Sequence, residues 1–207
     1  GVTLGRIARD EHVDIRLNTT VDQAYAEKEN ADVVIVAAGS KPFLPAIEGL
    51  DQDHVFFVND YHHKLHQIND PVVVLGGGLA GCEIALHLSM EGKEVNLIEM
   101  NDELAPDANI RHRPLLLREI ETSPMKIFNN HFGIAVFQNG VVCKNKAGEE
   151  VLIKGKTVIC AAGQTPRRQV VEQLADAAPV VMAIGDCAKV SNITTAIYQG
   201  HHAGMDA

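Results

Sequence analysis

The chain has 207 residues, of which 46% are apolar and 22% charged, and it carries a net charge of −9. This is the composition of an ordinary globular protein with room for one large domain or two small ones. It excludes two partners: no cluster of Lys and Arg offers a surface to nucleic acid, and no apolar run approaches the ~18 residues of a membrane span.

At the start, Arg6, Arg9, Asp10 and Glu11 interrupt any signal-peptide pattern. Residues 4–9 read as the tail of a helix and 13–17 as a short alternating strand. The first residue, Gly1 rather than Met, fits either a cut chain or a cloning remnant. Residues 33–36 are an apolar strand, expected to be buried, that runs into Ala37-Ala38-Gly39-Ser40. Small residues at a strand end allow close backbone approach to a ligand. Pro42 and Pro45 then hold an extended crossover.

Residues 55–58 read as a strand, and Asp60 as the cap of a short helix through His66. His62 and His66 stand one helical turn apart and invite a metal reading. A solvated histidine-rich face is the better one, because no carboxylate or cysteine completes a ligand set.

Residues 71–100, PVVVLGGGLAGCEIALHLSMEGKEVNLIEM, organise the chain. Val72 to Leu75 is a buried parallel strand by its β-branched run. Gly76, Gly78 and Gly81 form G-x-G-x-x-G, followed by a helix that should stop near Gly92. Residues 95–98 are a second strand, closed by Glu99 18 residues after Gly81. A lone G-x-G-x-x-G is weak, but this one has the strand, the helix and an acid at roughly the expected spacing of about 20. Gly76 permits the tight turn, Gly78 lets a pyrophosphate approach the backbone, and Gly81 lets helix and strand pack closely. The helix N-terminus, with Leu79 and Ala80, supplies N–H groups and a dipole for the phosphates. Glu99 can accept hydrogen bonds from both hydroxyls of an adenosine ribose and would repel a 2′-phosphate. Met100, Asn101, Asp102 and Glu103 add no cation, so NAD(H) is expected over NADP(H).

Residues 101–109 read as a polar loop and 110–120 as an amphipathic helix with a basic start. Strands are expected at 126–128 and 132–137. Asn139-Gly140 signals a hairpin into 141–143, and Ala147-Gly148 turns into 151–153, giving an antiparallel three-stranded meander. Residues 158–160 are another buried strand, running into Ala161-Ala162-Gly163 and then Pro166. The pattern of 33–42 thus occurs twice. A helix over 169–175, a strand over 180–184 ending in Gly185-Asp186, and a helix over 193–205 complete the chain. The four cysteines, Cys82, Cys143, Cys160 and Cys187, have no C-x-x-C or zinc-like spacing. Cys82 and Cys160 read as small buried hydrophobes, and a reduced, cytoplasmic protein is the simplest reading.

Together these motifs resemble the two-dinucleotide flavoprotein reductases, in which an NAD(P)H domain is inserted into an FAD domain. A closer resemblance is to the C-terminal half of 2-enoate reductases and 2,4-dienoyl-CoA reductases, of the old-yellow-enzyme type, whose wording is close to ADVVIVAAGSKPFLPAIEGL (31–50), the 71–100 segment and VMAIGDCAKVSNITTAIYQGHHAG (181–204). The resemblance implies an α/β, Rossmann-like three-layer NAD(P)-binding domain with an antiparallel β-meander, flanked by partial FAD-binding domain segments. The expected division is 1–50 as one FAD segment, 51–168 as the NAD(H) domain and 169–207 as the second FAD segment.

The resemblance also implies residue roles. Gly39, Gly185, Asp186 and Ala196 would contact FAD, Gly163 would line the cleft, and Glu83 would stand near the nicotinamide. From the residues alone, Glu83 is equally a solvated helix glutamate, and Asp186 is also readable as a plain turn cap. No residue is assigned a catalytic role, and no metal site is expected. In such an enzyme, an oxidoreductase acting on CH–CH bonds, NADH gives hydride to FAD. Electrons then pass through an iron–sulfur cluster and FMN to a small enoate-type substrate.

The chain departs from the family in having no G-x-G-x-x-G before residue 71, no FMN barrel, no cluster cysteines and no C-x-x-x-x-C redox pair. It is expected to be a fragment that is inactive alone, with apolar surface open to dimerisation. Two alternatives stay open: the structural ADP-binding domain of an amine-dehydrogenase-like flavoprotein, and a non-catalytic nucleotide-binding module.

Overall fold

The computed structural model describes residues 13–207. The expected helix tail at 4–9 lies outside them. The chain divides into two compact units, one formed by residues up to Ser40 together with Pro166–Ala207, the other by Lys41–Thr165.

The Lys41–Thr165 unit is built on a five-stranded parallel sheet. Its strands are β3 (Val55–Phe57), β4 (Val72–Leu75), β5 (Val95–Ile98), β6 (Lys126–Phe128) and β10 (Thr157–Cys160), in the order β3-β10-β4-β5-β6. Every pairing is parallel, with Val72 beside Val95 and Val73 beside Val158. The pleat sends alternate residues of β4 to opposite faces. Val72 and Val74 pack with Cys82, Ala85 and Leu88 of helix α3 (Leu79–Met90), whereas Val73 and Leu75 pack with Val136, Val141 and Ile153. The latter come from the antiparallel meander β7 (Phe132–Phe137), β8 (Gly140–Lys144) and β9 (Glu150–Lys154). Both faces of the sheet are therefore covered, which is why β4 reads as an unbroken apolar run and β5 and β10 as apolar runs broken only by the buried Asn96 and Thr157. The three-layer α/β expectation holds for this unit.

Two connections differ from expectation. Asp60 precedes a one-turn helix α2 (Tyr61–Lys64) but makes no side-chain cap bond, and a 3-10 turn follows at Leu65–Gln67. Helix α4 runs over Arg113–Thr122 rather than from 110. The Asn109 side chain accepts from the Arg111 N–H, and this turn delays the helix to the segment where Pro114 can sit in its first turn.

In the other unit, β1 (Val33–Val36) pairs in parallel with β12 (Val180–Ala183), Val33 beside Val180. Helices α1 (Gln23–Glu29) and α5 (Arg168–Gln173) and the terminal α6 (Ile193–Asp206) complete it. Only Val36 of β1 is fully buried and Ile35 is 38% exposed, so the expected buried strand is a half-covered one. The expected strand at 13–17 does not form. Val13, Ile15 and Leu17 are exposed, and among the described residues no strand pairs with them. Alternation without a partner leaves the backbone bonding to water. The repeated small-residue turns lead into β2 (Ser40–Pro42) and β11 (Gln164–Pro166), which pair with each other.

Candidate functional site

β4 is where the strand order reverses: β5 and β6 lie to one side of it, and β10 and β3 to the other. In open α/β sheets ligands bind outside the carboxyl ends of the strands at this switch point. The glycine turn stands there.

The four glycines of the turn are held for different reasons. Gly76 has a φ of +115°, and a Cβ on it would stand 2.5 Å from the Ala161 carbonyl oxygen. At Gly81 a Cβ would overlap the Gly76 carbonyl oxygen. At Gly77 it would meet the Leu104 side chain at 2.6 Å and Glu99 at 2.8 Å. The fold itself requires these three. Gly78 is different. Its φ is −65°, open to any residue, and the nearest atom to an added Cβ is an Asp107 carboxylate oxygen at 3.6 Å, an ordinary contact. Nothing in the chain asks for glycine at 78, so the cleared surface there fits a group from outside.

Glu99 is 7% exposed, and its carboxylate is already engaged. One oxygen accepts from the Gly77 N–H at 2.7 Å, and the other from the Asn101 N–H and Nδ2, both at 2.8 Å. Three of about four acceptor positions are used. The sequence reading missed this structural duty and missed Gly77 and Asn101 as its partners. The loop after β5 is likewise less polar than expected. Leu104 and Ala105 are buried, and Ala105 donates its N–H to the Gly77 carbonyl at 2.7 Å. Arg113, unremarked in the sequence, donates from Nε to the Leu104 carbonyl and from Nη2 to Glu103.

At the α3 N-terminus, Asp107 accepts from the Leu79 N–H at 2.9 Å. Glu83, one turn into α3, is exposed and lies 4.0 Å from His112 Nδ1. It lines a cleft of about 360 Å³ with Ala80, Ile84, His87, Val58 and Tyr61. Gly163 has a φ of +111°, with open space where a Cβ would stand.

The other unit brings Gly39, Gly185, Asp186 and Ala196 together around a cleft of about 420 Å³, with Ser191 and Asn192. Gly39 and Gly185 have φ of +72° and +64°, and a Cβ on either would meet nothing. The Gly185 N–H donates to Gln199 Oε1 at 2.7 Å. Asp186 accepts from the Ser191 N–H at 3.1 Å and the Ser40 hydroxyl at 3.2 Å, so it does the turn-capping work while still facing the cleft. Asn192 caps α6 by accepting from the Thr195 N–H.

All four cysteines are buried free thiols. Burial pushes Cys82 up to about 12 and Cys143 up to about 11 and raises Cys160. Thiols held protonated in this way are not redox nucleophiles. Among the described residues no group of three or more His, Cys, Asp or Glu could hold a metal ion, His62 and His66 included, and no helix is long and apolar enough to cross a membrane.

Residues 4–200 match the model of the pyridine nucleotide-disulphide oxidoreductase family. A bilirubin reductase of Mediterraneibacter gnavus is 33% identical over 94% of this chain and 30% of its own length. A cinnamate reductase of Clostridium sporogenes is 30% identical over 97% of this chain and 30% of its own. Among solved structures, a 2-naphthoyl-CoA reductase complex superposes with a TM-score of 0.90 at 28% identity, covering 98% of this chain and 31% of that one. The chain thus spans about a third of the length of these relatives.

Proposed function

The chain belongs to the pyridine nucleotide-disulphide oxidoreductase family, and we propose that it is the NADH-binding part, with FAD-contacting segments, of a reductase acting on an activated C=C bond. Its class, a flavin- and NAD(P)-dependent oxidoreductase domain, follows from the family. The finer reading rests on one observation: Gly78 is cleared of a side chain that the fold would tolerate, at the N-terminus of a 12-residue helix and at the switch point of a parallel sheet. A pyrophosphate is the group that needs such a surface.

Gly76, Gly77 and Gly81 shape the turn, and Gly78, Leu79 and Ala80 present it to the phosphates. Glu99 keeps acceptor capacity for a ribose hydroxyl and brings a negative charge that disfavours a 2′-phosphate. Glu83 lines the neighbouring cleft, and Gly163 has open space where a Cβ would stand. Gly39, Gly185, Asp186 and Ala196 would hold FAD, with Asp186 accepting from a ligand hydroxyl. When bound, NADH supplies hydride and the flavin accepts it. The protein's part is to position both and to keep thiol chemistry out, since its cysteines are buried. In this reading FMN, an iron–sulfur cluster and the enoate pocket are supplied outside these residues. Cinnamate, named in one relative, is itself a 2-enoate. The reading places the protein in the cytoplasm and leaves self-association to experiment.

Anaerobic stopped-flow mixing of the flavin-loaded protein that carries this sequence with NADH tests the reading. Flavin bleaching, followed by reoxidation with cinnamate, is expected. A flavin that NADH does not reduce would instead favour a nucleotide held as a structural part.

A further inference from the structure

The surface that Gly78 leaves clear is faced by a carboxylate of the chain itself. Asp107 places one oxygen 2.9 Å from the Leu79 nitrogen, as hydrogen-bond acceptor, and its two oxygens 3.6 and 3.9 Å from where a Gly78 Cβ would stand. It thus meets both features that the nucleotide reading reserves for a pyrophosphate: the first free N–H of α3 and the side-chain-free face of the turn. We infer that Asp107 is an internal anion seated in the phosphate subsite, whose displacement by the nucleotide sets the affinity for NADH. The inference rests on the nucleotide reading of the glycine turn.

The construction of the loop supports this role. Its backbone is pinned to the turn: Ala105 is fully buried in a left-handed conformation, φ +45°, and donates to Gly77, while Leu104 is buried and its carbonyl is held by Arg113. Asp107 itself is exposed. Its carboxylate can leave the Leu79 N–H by rotation about Cα–Cβ, without unseating Leu104 or Ala105. A side chain free to turn to water, on a backbone that is not, suits a placeholder. It satisfies an otherwise bare helix N-terminus, favourably for the dipole, and yields to a ligand with more charge and more acceptors. While it stays, it repels a second anion.

Titration calorimetry of the full chain with NADH, inorganic pyrophosphate and adenosine, on the unmodified protein, Asp107→Asn, Asp107→Ala and Gly78→Val, tests the inference. Both Asp107 variants should bind NADH and pyrophosphate more tightly, on the order of tenfold for Asp107→Ala. Adenosine, which has no phosphate, should bind all Asp107 forms alike. Weaker or unchanged NADH binding in Asp107→Ala, with Gly78→Val abolishing binding, overturns the role of Asp107 and leaves the nucleotide site standing. NADH binding that survives Gly78→Val unchanged, or no NADH binding in any form, removes the site and the inference with it. Circular dichroism and thermal unfolding of each variant separate loss of binding from loss of fold.

Discussion

Gly81 lies directly against the carbonyl oxygen of Gly76, so that a methyl group on Gly81 and that oxygen would occupy the same space. Gly78, three residues earlier, has only an aspartate carboxylate within 4 Å of where its methyl would be. The two glycines share one motif and differ in what the fold asks of them: it requires glycine at 81 and not at 78, where the proposed reading sets a ligand.

The first prediction separates them. Gly81→Ala should destabilise the protein by about 1–3 kcal/mol or more, because backbone on both sides must shift. Gly78→Ala should leave the thermal unfolding midpoint nearly unchanged while weakening NADH binding. Unfolding curves with NADH titrations on both variants check this. Equal loss of stability in the two would contradict the division.

The second concerns Glu99, whose buried carboxylate holds the Gly77 and Asn101 N–H groups. Glu99→Gln turns one acceptor into a donor facing an N–H, with an expected cost of about 1–3 kcal/mol. The same change removes the charge proposed to disfavour NADPH, so the ratio of NADPH to NADH affinity should rise. Calorimetry with both nucleotides beside urea denaturation reads the two effects separately. Equal affinities for NADH and NADPH in the unmodified protein would remove Glu99 as the source of the preference.

What could be read from sequence was local. The strand, glycine turn, helix, strand and acid of 72–99 follow from spacing within one stretch, as does the hairpin turn before Gly140. Pairings across the chain left no local mark. The alternation of 13–17 resembles that of a true strand but found no partner. Val33 meets Val180, and β10 enters the sheet between β3 and β4, two strands that precede it by many residues. Asp107 was invisible for the same reason. It lies 28 residues beyond Leu79, and only a folded loop carries it back to the helix start. Glu99 stands out in the sequence only as a ribose contact to be expected after the second strand, while its bond to Gly77 spans 22 residues and has no motif.

The third prediction follows from the thiols. Burial raises Cys82 from 9.0 to about 12 and Cys143 from 9.0 to about 11. A folded-state value above the unfolded one means that the native state holds the proton more tightly. The contribution is therefore fully present below pH 9, the unfolded value, and is lost as pH rises through the folded values. Tyr61, pushed by burial from 10.0 to about 12, adds with the same sign. Urea midpoints should fall between neutral pH and about pH 10.5. A thiol reagent should label the cysteines only after unfolding. Rapid labelling of native protein at neutral pH would contradict their burial.

The last prediction concerns the cleft around Asp186. Its carboxylate ties the Ser40 hydroxyl to the turn before α6, and the Asn192 side chain closes that helix from the other end of the turn. The two residues are six apart and support the same backbone, but only Asp186 carries charge. Asn192→Ala should cost about 1 kcal/mol through loss of the cap, leaving FAD affinity of the flavoprotein changed only in proportion to stability. Asp186→Asn keeps one oxygen to accept from the Ser191 N–H and turns its amide NH2 toward the Ser40 hydroxyl, which can accept instead of donate, so its stability should change little. If Asp186 accepts from a flavin hydroxyl, a charge-assisted bond becomes a neutral one of roughly half the strength. FAD retention should then fall more in Asp186→Asn than in Asn192→Ala, the reverse of their order in stability. Unfolding midpoints compared with flavin released on gel filtration decide the matter. The same rank order in both measurements would make Asp186 a turn cap and nothing more.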